Sequence, residues 1–84
     1  DEARAVRLFR KAAWRGNAIA QNRLARIHAA GRGAERDLVE AAAWHLAASR
    51  QGLTDVWLDQ VLKGLTDEER GRAARLADER AQPF

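Results

Sequence analysis

An internal repeat is the feature that most constrains this chain. Four positions correspond across a separation of 36 residues: Ala5 and Ala41, Ala12 and Ala48, and Gly16 and Gly52 are identical pairs, and Leu8 corresponds to Trp44. A period between about 20 and 50 residues is typical of solenoids and propellers, in which one unit cannot bury its own apolar face. Stacked units bury that face together, and they leave an extended surface for partners rather than a reaction pocket.

Local signals divide the sequence into five helices. Apolar residues follow i, i+3 and i+4 spacings between glycines, and nothing alternates with a period of two. The predicted start signals are Asn17 for the second helix, a capping box from Asp37 to Glu40 for the third, Thr54 or Asp55 for the fourth, and a capping box from Thr66 to Glu69 for the fifth. Because the connections are short, neighbouring helices should pack antiparallel in an all-α fold, with Trp44, Phe9 and Leu24 as the bulky core residues.

Composition limits the chemistry that the chain can carry. Its 84 residues include no cysteine, which excludes disulfides, thiol nucleophiles and cysteine metal sites. No apolar run approaches the roughly 20 residues of a membrane span, so we expect no membrane insertion. Methionine is absent even at position 1, which fits either the C-terminal part of a longer repeat protein or a boundary without biological meaning.

Charge is distributed unevenly along the sequence. Residues 1–42 contain nine Lys/Arg and five Asp/Glu, a balance of +4, whereas residues 43–84 contain six and seven, a balance of −1. Such an asymmetry indicates an electrostatic preference in the choice of partner.

One complete unit of the repeat carries a family resemblance. Its residues are Ala20-Gln21, Leu24, the Gly31-Arg32-Gly33 turn, Asp37, Ala41, Trp44-His45, Ala47-Ala48 and Gly52. With this pattern the sequence resembles the Sel-like repeat family, a branch of the tetratricopeptide-like α-solenoids. It departs from the family where His28 and His45 replace the usual tyrosines, and where the first copy has Leu8-Phe9 at the aromatic pair.

The resemblance implies a right-handed α-solenoid of antiparallel helix pairs. Residues 3–16 resemble the second helix of a preceding unit, 17–52 form one complete repeat, and 54–64 look like the first helix of a degenerate one. Residues 66–81 are expected to form a C-terminal capping helix, with Ala73, Leu76 and Ala77 inward and a polar outer face; a helix that docks a partner is the alternative. Pro83 should prevent a simple continuation.

The family also implies a protein-binding scaffold without catalysis or cofactor. Its members often work in bacterial envelope or signalling assemblies, so a protein partner, in a large multi-subunit assembly or as a free adaptor, is expected. Family habit and composition favour a bacterial periplasmic or envelope setting, with the cytoplasm as the alternative.

The first candidate binding surface surrounds Trp14. On a helical wheel this residue joins Arg7, Arg10 and Lys11, away from Leu8. Exposed tryptophan and arginine are enriched at interface hot spots, although Trp14 could instead pack against a preceding repeat.

The second candidate surface is a groove that the resemblance places along the first helix of each pair. Arg23 and Arg26, with Asn22, would face an elongated partner there. Asp55, Asp59 and Lys63 would continue the groove, which would then run from basic to acidic. Ordinary solvated helix faces are the alternative for each residue alone.

Other residues attract a chemical interpretation that we consider weaker. His28 and His45 lack the further ligands that zinc requires, and packing is the better explanation. Asp55 and Asp59, one turn apart, are more simply solvated charges than a catalytic pair. For Trp57 the wide apolar arc of its segment favours core packing over an interface role.

Two functions compete with the scaffold. A basic helical-repeat module that binds RNA or DNA is the main alternative, since some helical repeats read one base per unit. The repeat offers no regular set of base-reading residues, and its acidic second half disfavours nucleic acid. An enzyme lacks any catalytic constellation in the sequence.

Overall fold

Five helices account for most of the computed structural model, which describes residues 1–81. They are α1 (Glu2–Trp14), α2 (Ala18–Ala30), α3 (Leu38–Ser49), α4 (Val56–Val61) and α5 (Asp67–Arg80), and a 3-10 turn at Leu62–Gly64 follows α4. No residue of this described part of the chain lies in a β-strand. The predicted all-α fold of consecutive packed helices is therefore confirmed.

The helix starts are set by side-chain caps. Asn17 and Asp55 each accept the backbone N–H three residues later, and Thr66 and Glu69 form a complete reciprocal capping box. Asp37 also caps its helix, but the predicted capping box with Glu40 is only half right. Glu40 accepts a hydrogen bond from Arg80 at 2.6 Å, while the Asp37 N–H donates to a carbonyl of α2.

The core lies between α2 and α3, with α1 and α4 beside α2. Its largest fully buried side chains are Trp44, Leu24 and Leu58, and most of the remaining core is alanine. Small side chains let the helices approach closely, so the three large residues fill the space between them. Phe9, predicted as a core residue, is partly buried against this cluster.

The two copies of the repeat differ in burial at one matched pair of positions. Trp44 is 2% exposed, whereas its counterpart Leu8 is 62% exposed. Trp44 is covered by Trp14, whose ring meets it edge-on at 5.6 Å, and by the Arg80 guanidinium at 4.5 Å. Leu8 is exposed because no described element covers it as α1 and α5 cover Trp44.

The last helix packs on α3 through small residues. Ala73 and Ala77 are buried as predicted, and Leu76 is partly buried. Arg80 pairs with Glu40, and Arg50 pairs with Asp78 at 2.9 Å. These contacts join α5 to α3 at both its apolar and its polar faces. Pro83 lies outside the described residues.

Among residues 1–81, no helix is both long enough and apolar enough to span a bilayer.

Candidate functional site

One face of α2 is turned away from the core. Its members follow the i, i+3, i+4, i+7, i+11 spacing of a helix face, and they are Ile19, Asn22, Arg23, Arg26 and Ala30. The opposite face carries the buried residues Ala20, Leu24, Ala25 and Ala29. Burial of that second face against α1 and α3 fixes the rotation of α2, so the first face is held at the surface.

Asp55 joins this face to the start of α4. Its carboxylate accepts two hydrogen bonds from the Arg26 guanidinium, Nε to Oδ2 at 2.6 Å and Nη2 to Oδ1 at 3.0 Å. Asn22 Nδ2 donates to Oδ2 at 2.8 Å, and the Leu58 backbone N–H donates to Oδ1 at 3.0 Å. Each carboxylate oxygen therefore has two donors, which fills the capacity of the group.

The protonation of Asp55 follows from these contacts. Burial of the carboxylate by itself raises the pKa, but the hydrogen bonds from Arg26, Asn22 and Leu58 and the charge of Arg26 outweigh burial and lower the pKa to about 2. Asp55 is 7% exposed. The interpretation of this residue as a solvated surface charge is therefore wrong: it is an ionised internal anchor.

Trp57 contacts Arg26, the residue that is paired with Asp55. The Arg26 guanidinium sits 5.0 Å from the centre of its ring, in a cation–π arrangement. Trp57 is 43% exposed, and Leu58 occupies the core position of α4 instead. The core interpretation of Trp57 is wrong, because the Asp55 cap turns the first residues of α4 toward α2 and solvent.

Two depressions border the outer face of α2 and share two arginines. Residues that line the first include Ile19, Arg23, Arg26, Thr54, Val56 and Trp57. Residues that line the second are Phe9, Arg23, Arg26, Ile27, Ala30 and Arg32. Because Arg23 and Arg26 belong to both, the depressions form one continuous surface, which we call the α2 trough.

The trough combines apolar side chains with positive charge. Ile19 and Val56 are 64% and 73% exposed, which is unusual for aliphatic side chains so close together. Three arginines and one aspartate among the lining residues give the trough a net charge of +2. Asp55 neutralises Arg26, so the excess comes from Arg23 and from Arg32, which lies 3.7 Å from the exposed Glu2.

Some residues of the predicted groove therefore lie together in the structure, and others lie at separate places. Asn22, Arg23, Arg26 and Asp55 meet at the α2 trough. Asp59 instead pairs with His45 at 2.8 Å, in a depression between α3, α4 and α5. Lys63 is exposed in the 3-10 turn, where its carbonyl accepts from Arg70. The trough does not run from basic to acidic, since the Asp55 carboxylate is already saturated.

The other predicted surface lies on α1. Arg7, Arg10 and Lys11 are exposed there, as is much of Trp14. Trp14 packs against Trp44 and lies 5.3 Å from the Arg80 guanidinium, so it contacts the following repeat and α5. Trp14 therefore has a packing role in the structure.

The histidines are engaged with nearby groups. His28 is buried, with Nδ1 at 3.2 Å from the carbonyl oxygen of Glu35, and His45 Nε2 meets Asp59. Within residues 1–81, no group of three or more His, Asp or Glu side chains is arranged to hold a metal ion.

Sequence reasoning missed the apolar half of the trough. Ile19, Val56 and Trp57 come together only because α2 and α4 pack side by side. Ile19 was the available signal, since it lies on the same helix face as Arg23 and Arg26.

Comparison with known proteins identifies one family. The family model described as the Sel1 repeat matches residues 1–17 and 18–53. No curated protein matches the chain, and no solved structure matches it.

Proposed function

The chain belongs to the Sel1 repeat family, as its sequence pattern predicted, and we propose that it binds a partner protein through the α2 trough. Sel1 repeats are generally protein–protein interaction modules, typically without catalysis. A general role as a protein-binding scaffold follows from the family. The surface and the kind of contact are the parts that we propose here.

The observation that carries the proposal is the group of exposed apolar residues at the trough. Aliphatic and aromatic side chains lie beside arginines in a concave surface. Aromatic residues and arginine are enriched at protein interfaces, whose buried centres are apolar. Trp57 and Arg26 are also the residue types most often found at binding hot spots.

Rigidity of the trough supports the same proposal. Asp55 holds Arg26 with two hydrogen bonds, and Arg26 in turn lies over Trp57. The arginine and the tryptophan are therefore already ordered before a partner arrives, which reduces the entropy lost on binding. Two of the five N–H donors of the guanidinium bind Asp55, and the half-exposed side chain leaves others accessible to a partner.

The α1 surface with Arg7, Arg10 and Lys11 is the second candidate for the contact. This surface is positively charged, but its tryptophan, Trp14, packs against Trp44 and Arg80. We therefore place the main contact at the trough, and we propose a permanent or transient multi-protein assembly as its setting.

The test is affinity purification of the tagged protein from its native cell, followed by mass spectrometry. Arg23→Glu reverses a charge in the trough, and Lys11→Glu reverses one on α1. Arg75→Glu is the matched control, since Arg75 is exposed on α5, which packs on α3. Circular dichroism of each variant checks that the helices are retained.

Specific proteins lost with Arg23→Glu and retained with the other two variants would support the trough. Loss with Lys11→Glu alone would move the contact to α1 and refute our placement. Co-purified RNA or DNA, released by moderate salt, would favour the nucleic-acid alternative, because phosphate contacts weaken steeply with ionic strength.

A further inference from the structure

We infer that the α2 trough takes an extended segment of a partner protein in which two apolar residues, four positions apart, flank a central Asp or Glu. This inference rests on the proposed function and specifies the partner chemistry of the same surface. It follows from the order of side chains along α2, from the length of that helix and from its charge.

The trough has an apolar patch at each end and charge between them. Ile19, Val56 and Trp57 form the first patch, and the partly buried Phe9 and Ile27 form the second, beside Arg32. Arg23 and Arg26 lie between the patches and line both depressions. A ligand that follows α2 therefore meets an apolar, then a basic, then an apolar environment.

The distance between the patches sets the spacing in the partner. Ile19 and Ile27 are eight residues apart on one helix, which is about 12 Å at 1.5 Å per residue. An extended or polyproline-like segment rises about 3.1–3.4 Å per residue, so four residues cover about 12–14 Å. In a strand-like segment, residues at the first, third and fifth positions face the same side. The first and fifth then reach the two apolar patches, while the third faces the arginines.

The positive charge of the trough determines which residue the partner segment should have at its central position. Arg26 is oriented by Asp55, and Arg23 makes no ion pair with any residue from 1 to 81. A carboxylate at the third position would reach both guanidinium groups and form charge-assisted hydrogen bonds. A lysine or arginine there would meet like charge, which disfavours the wrong partner.

Nucleic acid fits this surface less well than a peptide. Ile19 and Val56, the most exposed apolar side chains beside the arginines, offer neither a charge for phosphate nor a flat face for a base, and the Arg26 guanidinium covers one face of the Trp57 ring. The net charge of +2 is also small for a surface that tracks a phosphate backbone.

The experiment is a titration of the isotope-labelled chain with synthetic peptides, followed by amide nuclear magnetic resonance shifts. The probe is the palindromic peptide Ser-Leu-Ser-Glu-Ser-Leu-Ser, which presents the same pattern in both chain directions. The comparison peptides replace the central Glu by Lys, replace both Leu by Ser, or shorten the Leu spacing by one residue. An eight-residue oligouridylate tests the nucleic-acid alternative.

We expect the Glu peptide to shift the amides of Ile19, Arg23 and Val56. The Lys peptide should bind about tenfold more weakly, since like charges replace opposite ones. Arg23→Glu should narrow or reverse this preference, whereas Arg75→Glu should leave it unchanged. Reversal by a single charge exchange is a result that a merely structural role of Arg23 would not produce.

Four results would each overturn the inference. They are equal binding of the Glu and Lys peptides, tighter binding of the oligouridylate, amide shifts confined to α1 or α5, and no amide shift at millimolar peptide. The cellular experiment separates this failure from that of the proposed function. If Arg23→Glu still removes specific proteins in the cell while the peptides fail, the trough binds a partner of different chemistry. If Arg23→Glu removes none, the proposed surface itself is wrong.

Discussion

Replacement of Asp55 by Asn should destabilise the folded chain by about 2 kcal/mol at pH 7. The pKa of Asp55 is lowered from 3.8 to about 2 in the folded state. At about 1.4 kcal/mol per pKa unit, that difference is worth about 2 kcal/mol to folding. Asn is a good helix cap, so Asp55→Asn keeps the hydrogen bond to Leu58 and removes mainly the charge. Asp55→Ala should cost about 1 kcal/mol more, because it also removes the cap of α4.

The stabilisation by Asp55 should depend on pH, and the direction of the pKa shift sets the direction of this dependence. The folded pKa lies below the unfolded value, so the stabilisation is fully present well above pH 3.8 and is lost as the pH falls toward about 2. The difference between wild type and Asp55→Asn should therefore shrink to about half near pH 3. It should stay constant between about pH 5 and pH 7.

Urea unfolding of the 84-residue chain, followed by circular dichroism at several pH values, measures this difference. Asp59→Asn is the matched control, since Asp59 lies in α4, the helix that Asp55 caps, but its side chain is 62% exposed beside His45. A pair in which the carboxylate is largely exposed to solvent should contribute only about 0–1 kcal/mol. If the two asparagine variants lose equal stability, or if the Asp55→Asn deficit does not shrink in acid, the pair between Arg26 and the buried Asp55 carboxylate does not act as we describe.

Three further predictions, which together use five substitutions, test the packing and the capping by urea unfolding. Trp44→Ala should cost about 3–5 kcal/mol because the ring is buried, whereas Trp57→Ala should cost about 1 kcal/mol or less because that ring is nearly half exposed; similar losses would contradict the assigned burial. Gly33→Ala should destabilise more than Gly16→Ala. Both glycines have positive φ, at 89° and 92°, but only at Gly33 would a Cβ come within 2.9 Å of a valine methyl group, so equal losses would argue against that contact. Thr66→Ala should cost about 1 kcal/mol by removing the capping box of α5, and an unchanged midpoint would show that the box is not needed.

Local signals made the helix starts predictable. Asn17 and Thr66 cap their helices as expected, because an N-cap depends on the three residues that follow it. The same local rule failed for half of the Asp37–Glu40 box. Glu40 binds Arg80, which is 40 positions away, and such a competitor cannot be seen in a window of four residues.

The core was predictable where a helix is long enough to show its period. In α2 the apolar positions repeat over 13 residues, so Leu24 could be assigned to the interior. In α4 the spacing of the apolar residues does not show which side of the helix faces the core. That helix has six residues, and apolar side chains at Val56, Trp57, Leu58 and Val61 cover most of its circumference.

The rotation of α4, and with it the apolar half of the trough, depends on one long-range pair. Asp55 is fixed to Arg26, 29 positions earlier, and its cap sets where the first turn of α4 begins. With the helix start held there, Leu58 and Leu62 fall on the buried side and Val56 and Trp57 on the outer side. The sequence contains both charges, but only the packing of α4 beside α2 brings them together. The same ion pair therefore orders the binding surface and hides an anionic residue that would otherwise repel the acidic partner that we propose.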